Sequence, residues 1–307
     1  MLYYNIHGVS MRLEIENVFL RQAFSKRYEK YICSHENTAM LRIIELKSSE
    51  LLEYTKQFDY ETPMANDNCI WLNEYDDIII WIRNSSQVYF SMLTEKRSMV
   101  AYIWLTRFLN YVLFEYYGLL HIHCSCLTNH QSYKTASIFC GESGAGKSTI
   151  ALSLLSYGDK LIAEDNLYLK FINNKLVALS NDSPIKMRKD STPNGKTITY
   201  VSRYDDFFEK NVLALNDNCF LDNQFSIPNR IFILNHQKSV DGSMKHMGME
   251  EGVMHFLHEY SIYSMFNSEK LIDFILALCS QCELYMLTPS NDVKKTIEII
   301  TQRETSV

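Results

Sequence analysis

Residues Gly141, Glu142, Ser143, Gly144, Ala145, Gly146, Lys147 and Ser148 spell G-x-x-x-x-G-K-S, a complete phosphate-binding loop. The chemistry on offer is anion binding by the backbone. A chain wraps a polyphosphate only where side chains leave its N–H groups open, and three of the 10 glycines fall in this one turn. Lys147 is a point charge of the kind that reaches the β- and γ-phosphates, and the Ser148 hydroxyl is a ligand type for Mg2+. Thr149 opens an apolar run to Leu155. A helix there sets its positive N-terminal dipole beneath the phosphates. A nucleoside triphosphate with Mg2+ is the expected ligand.

Glu164 and Asp165 follow Ser148 after one helix and one strand. Acidic residues at such a strand end are where enzymes acting on nucleotide triphosphates hold Mg2+ or a base. In that geometry two adjacent side chains diverge, so one can serve the metal and the other an acceptor hydroxyl. His123 stands on the strand before the loop, and pairing could bring it alongside. Taken alone, a single His is more often a satisfied structural residue.

Other clusters carry less. His121, His123, Cys124 and Cys126 have metal-ligand types, but in a strand His121 and His123 share one face and the two cysteines the other. Cys279-Ser-Gln-Cys282 is half of a zinc site with no second pair nearby. The 8 cysteines are scattered and read as free thiols.

These residues must be positioned by a strand, a loop and a helix. Thr135–Cys140 reads as the strand entering the loop, 149–155 as the helix leaving it, Tyr157-Gly158 as the helix stop, and 160–163 as the strand carrying Glu164. Upstream, 13–18, 41–46 and 77–82 read as strands, with turns at 66–69 and 84–87. Met99–Tyr117 reads as a buried amphipathic helix on Val100, Ile103, Trp104, Phe108 and Val112, ended by Gly118. A strand is expected over 119–127 and a hairpin through 129–134. Segment 182–229 is rich in Asn, Asp and Ser and holds Pro184, Pro193 and Pro228, which suggests surface loops. Core pattern resumes at 230–234, with an Asp241-Gly242 turn, helices around 250–260 and 271–282, a strand at 284–287 and a final helix from Val293. The expected organisation is a small α/β domain over 1–95 and a phosphate-loop domain over 96–307.

A net charge of −6 gives no footprint for nucleic acid or an anionic membrane. Met1–Gly8 lacks the basic and apolar regions of a signal peptide, and the best membrane candidate carries Arg107, Asn110 and Glu115. A cytoplasmic protein is expected.

Residues 120–169 resemble the HPr kinase/phosphorylase family and its wider group of HPr-kinase-like serine kinases. The matching order is Leu-His-Ile-His-Cys-Ser-Cys-Leu, then Gly141-Glu-Ser-Gly-Ala-Gly-Lys-Ser148, then Leu161-Ile-Ala-Glu-Asp165. The resemblance implies an α/β phosphate-loop kinase core of the HPr-kinase and PEP-carboxykinase type, with a mixed sheet and flanking helices. It implies that Lys147 and Ser148 serve phosphate and metal, and that Glu164 is the general base. Asp165 would support Mg2+, His123 would lie near the transferred phosphoryl group, and Arg188 would match a substrate-side arginine. The implied partner is a serine-bearing peptide or protein, such as a lasso-peptide precursor, and related enzymes are often homo-oligomers.

The sequence departs from the family twice. Glu164 stands where the family has Asp, one methylene longer, which shifts the acceptor or divides the roles differently. The glycine-rich E-[IV]-R-G-x-G segment of the true HPr enzymes is missing, which argues against HPr as acceptor and against phosphorylase activity. Two alternatives remain open: a kinase of free serine or a sugar, and a nucleotide-binding switch that phosphorylates no acceptor.

Overall fold

The computed structural model describes residues 2–33, 40–47, 49–50, 69–72, 78–84, 86–92, 98–129, 132–181, 185–188, 199–205, 210–216, 219–221 and 225–301. Among the residues singled out above as strands, turns or prolines of note, 66–68, Asp77, Ser85, His130, Gln131, Pro184 and Pro193 lie outside them. The chain divides into two compact units, 1–118 with 265–267, and the remainder from Leu119 onward.

The first unit contains strands β1 (Leu2–Ile6) and β2 (Val9–Glu14), helix α1 (Val18–Arg27), β3 (Leu41–Glu45), β4 (Cys69–Leu72), β5 (Ile78–Asn84), β6 (Gln87–Met92) and α2 (Ser98–Tyr117). Its sheet runs β1-β2-β3-β6-β5-β4, parallel at β2–β3 and β3–β6 and antiparallel elsewhere. Val9, Met11 and Leu13 are buried and alternate with Ser10, Arg12 and Glu14, as one buried sheet face requires. The strand expected to run on to Val18 stops at Glu14. Asn17 takes the Leu20 N–H at 3.0 Å on its side chain and caps α1 instead. Leu20, Ala23 and Phe24 form the buried stripe of α1, and Phe24 meets Tyr102 of α2 edge-on with ring centroids 5.7 Å apart.

Helix α2, expected at the head of the second domain, falls in the first unit. Its buried stripe is Tyr102, Leu105, Phe108, Leu109 and Val112, whereas Ile103, expected on it, is 42% exposed. Gly118 ends the helix in left-handed backbone, φ +66, with its N–H bonded to the Phe114 carbonyl. No helix among the described residues is long and apolar enough to cross a membrane.

The second unit runs β7 (Leu120–Ile122), β8 (Cys124–Asn129), β9 (Ser132–Cys140), α3 (Lys147–Ser156), β10 (Leu161–Glu164), β11 (Leu167–Ile172), β12 (Lys175–Leu179), β13 (Ile185–Arg188), β14 (Thr199–Asp205), β15 (Lys210–Leu215) and β16 (Phe225–Leu234). It continues with β17 (Ser243–His246), α4 (Met249–Glu259), α5 (Ser261–Gln281), β18 (Glu283–Thr288) and α6 (Val293–Thr301). The main sheet is ordered β10-β8-β9-β16-β12-β11-β7, with β18 beside the second half of β16 and β17 beside β18. Strand β9 pairs in parallel with β16, and β16 with β18. This is a mixed α/β architecture.

Residues 136–140 of β9 are all buried, as befits a central strand covered on both faces. In register across β9, β16 and β18, Phe139, Phe232 and Tyr285 stack at centroid distances of 4.8 and 5.4 Å. Ile150, Ala151, Leu154 and Leu155 of α3 settle on this floor with Leu161, Leu287, Ile297 and Ile300. The helix after the glycine-rich loop is therefore anchored by its apolar face.

Two expectations are corrected here. The single strand over 119–127 is two strands broken at His123, because β7 pairs with β11 while β8 pairs with β9 and β10. Segment 182–229 is not simply loops: β13, β15 and β14 form a three-stranded sheet, and Ile185, Met187 and Leu213 enter the core beneath α3. Pro228 lies within β16, at a register shift against β9 where the ladder tolerates a missing N–H.

Candidate active site

Strand β9 delivers the chain to Gly141, where the backbone turns sharply. Gly141 has φ +144, and a Cβ there would stand 2.9 Å from the Leu234 carbonyl oxygen. Only glycine allows the loop to pass this close to β16. Glu142, Ser143 and Gly144 form the exposed rim of the loop, and Ala145 is buried with its N–H bonded to the Glu142 carbonyl at 3.2 Å. Gly146 then caps α3 from left-handed backbone, φ +108, and its carbonyl accepts the Ile150 N–H. The Thr149 carbonyl accepts the Ser153 hydroxyl one turn on.

Lys147 is buried. Its Nζ donates to the carbonyls of Gly141 at 2.6 Å and Glu142 at 3.1 Å, so the ammonium closes the mouth of its own loop. Ser148 donates its hydroxyl to Glu164 Oε1 at 2.5 Å. The helix after the phosphate loop and the end of β10 thus meet through these two side chains.

Glu164 is 2% exposed, and its Oε2 has no hydrogen-bond partner among the described residues. Burial, and then the neighbouring Asp165, raise its pKa from the ordinary carboxylate value to about 7, against the lowering effects of Ser125, Ser148 and Lys147. Ser125 occupies the paired position on β8 and faces the carboxylate without reaching hydrogen-bond geometry. An acidic oxygen buried without a partner is costly, and either a proton or a bound cation relieves that cost.

Asp165 holds left-handed backbone, φ +62. His123 reaches it from the break between β7 and β8: Nδ1 is 3.1 Å from the Asp165 carbonyl oxygen and 4.0 Å from its Oδ1. A carbonyl only accepts, so the Nδ1 proton lies in that bond. Both side chains keep solvent access, 47% for His123 and 28% for Asp165. The structure brings Lys147, Ser148, Glu164, Asp165 and His123 together at the loop. Arg188 closes β13, paired with Lys210 of β15.

Sequence reasoning missed Asn166 and Asn181, and considered His121 only as a metal ligand. His121 Nε2 lies 3.0 Å from Asn166 Oδ1, and Asn181 Nδ2 donates to the Asn166 carbonyl at 2.5 Å. The signal was the spacing of His121 and His123, which places one imidazole on each residue of the Asp165-Asn166 turn. Among the described residues no group of three or more His, Cys, Asp or Glu is arranged to hold a metal. Burial raises the Cys124 and Cys126 thiols well above their ordinary pKa, away from the thiolate that ligation needs. Ser148 and Glu164, joined by their hydrogen bond, instead offer hard oxygen donors of the kind that suit Mg2+ completed by phosphate oxygens and water. The residues fit that ion.

Among protein families and among curated proteins, nothing matches this sequence. Among solved structures the chain is similar to the HPr(Ser) kinase/phosphatase from Coxiella burnetii, at 17% identity and a TM-score of 0.25. That similarity covers 37% of this chain and 58% of the other, less than two thirds of its length. A likeness of this size decides nothing about chemistry.

Proposed function

We propose that this protein is an ATP- and Mg2+-dependent kinase that transfers the γ-phosphoryl group to a serine hydroxyl of a peptide or protein. A ribosomally made precursor peptide is the favoured acceptor, on the family resemblance of residues 120–169. The observation that carries the reading is the Ser148–Glu164 bond. It ties the helix behind a complete phosphate loop to a buried carboxylate with an oxygen still unpartnered.

Phosphoryl transfer asks a protein mainly for positioning and charge stabilisation. Backbone N–H groups of 141–148 bind the phosphates, and Lys147 exchanges its two carbonyl contacts for phosphate oxygens. Ser148 and Glu164 would hold Mg2+, which would supply neutralisation of charge on the phosphates. Asp165 accepts the serine proton, the hydroxyl oxygen bonds to the γ-phosphorus, and the bond from that phosphorus to the β,γ-bridging oxygen breaks to release ADP. His123 orients Asp165 through its carbonyl and stands beside the transferred group. Arg188 is assigned to the acceptor side on the resemblance alone.

This division exchanges the roles that the resemblance implies for the acidic pair. Its support is geometric: Glu164 is buried against Ser148, whereas Asp165 is the more accessible carboxylate, and a base must reach its proton. A site of action in the cytoplasm goes with ATP as donor. Incubation with ATP, Mg2+ and a library of serine-containing peptides, read by mass spectrometry, tests the reading. Phosphate added at serine supports it. Phosphate appearing only on free serine or a sugar supplied in the same mixture would replace the peptide acceptor with a small molecule.

A further inference from the structure

Behind the Glu164-Asp165 turn lies a buried polar chain that the reaction leaves unused. His121, from β7, sets Nε2 3.0 Å from Asn166 Oδ1. Asn181, just beyond β12, donates Nδ2 to the Asn166 carbonyl and bonds its own N–H to Ile162 of β10 at 2.7 Å. The Asn166 N–H donates to the Glu164 carbonyl, also at 2.7 Å. All three side chains are buried, at 5–7% exposure.

Such a chain is unusual beneath a surface turn, where apolar packing avoids the cost of desolvating amides and an imidazole. Here every link bears on Asp165. Its carbonyl is held by His123, the following residue is held by His121 and Asn181, and the preceding carbonyl accepts from Asn166. Asp165 itself has left-handed backbone, which a non-glycine residue keeps only when its surroundings over-determine it.

We infer that His121, Asn166 and Asn181 are positioning residues: they hold the Asp165 turn left-handed and so set where the two carboxylates stand against the phosphate loop. The catalytic consequence rests on the kinase reading, while the clamp is a property of the chain itself. Its two halves are therefore read separately. In full-length protein labelled with carbon-13 and nitrogen-15 at aspartate, the Asp165 chemical shifts and amide coupling report the left-handed turn without any ligand. Steady-state ATP turnover with Mg2+ reports the catalytic effect.

Asn166→Ala and His121→Leu lose the left-handed signature and lower kcat about 10- to 100-fold, with KM for ATP changed by no more than about twofold. His121→Gln keeps a donor toward Asn166 and restores both readouts, although it lowers the melting temperature about as much as His121→Leu. Asn166→Asp keeps the oxygen facing His121 and, as the conservative control, retains the signature; if Asn166→Ala does not fold, the comparison of His121→Leu with His121→Gln carries the test. Unchanged Asp165 signals in Asn166→Ala and His121→Leu overturn the inference. So does a kcat that falls equally for the Leu and Gln variants in step with melting temperature. If the signature behaves as stated but wild type shows no ATP turnover, the clamp stands and the kinase reading falls.

Discussion

Ser148 Oγ lies 2.5 Å from Glu164 Oε1, joining the first turn of α3 to the end of β10, two strands away from β9 in the sheet. The contact satisfies one carboxylate oxygen and leaves Oε2 buried without a partner among the described residues. On the proposed reading, a hydroxyl and a carboxylate in this arrangement would give Mg2+ two of its oxygen ligands, with phosphate oxygens and water completing the shell.

The two acidic residues should therefore fail differently. Glu164→Gln keeps the shape but not the charge, and is expected to weaken Mg2+-dependent ATP binding about 10- to 100-fold while Mg2+-free binding is nearly unchanged. Asp165→Asn should bind ATP with Mg2+ as wild type does and lose roughly 10²- to 10⁴-fold in transfer. Calorimetric titration with and without Mg2+, set beside transfer rates, separates them. The opposite pattern returns the base to Glu164.

Gly141 and Gly146 make a controlled pair. Gly141→Ala meets the Leu234 carbonyl at 2.9 Å as well as unfavourable backbone, whereas Gly146→Ala meets nothing within 4 Å and carries only the backbone cost. Backbone strain alone is worth about 1–3 kcal/mol, and crowding adds about as much again. Gly141→Ala should thus unfold at clearly lower urea concentration than Gly146→Ala. Equal midpoints would mean that the loop does not press on β16.

The buried carboxylate should leave a mark on stability in the ligand-free protein. The folded pKa of Glu164 is raised to about 7 from an ordinary 4.5, so between those values the folded state binds more protons than the unfolded one. Stability falls as pH rises through that window, and below it the penalty vanishes. Urea unfolding in EDTA from pH 4.5 to 7 should show a shallower decline for Glu164→Gln than for wild type. Identical slopes would show that Glu164 is not desolvated as described.

The glycine-rich turn, the helix after it and the strand end carrying the acidic pair were legible as structure because each is a local pattern: glycines at fixed offsets, an apolar run, charges at a strand end. What lay hidden depends on pairing across distance. His121 and Asn166 are 45 positions apart, and nothing local says that they meet. The break at His123 was hidden for the same reason, since Leu120–Ile122 and Cys124–Asn129 answer to different partner strands. In 182–229 the abundance of Asn, Asp and Ser masked β13–β15. Alternation in Ile185 and Met187 was too short to outweigh composition, though both reach the core under α3.

Transfer of the γ-phosphoryl group to serine is tested by following the label from γ-phosphate-labelled ATP. Wild type, Asp165→Asn and Lys147→Ala are each incubated with Mg2+ and an array of serine peptides beside matched alanine peptides. Label is expected on serine peptides alone with wild type, reduced at least about 100-fold with Asp165→Asn and absent with Lys147→Ala, with binding of ATP with Mg2+ retained by Asp165→Asn but not by Lys147→Ala. Label found only as free phosphate across the whole array, with wild type binding ATP tightly, would contradict the account and leave a nucleotide switch.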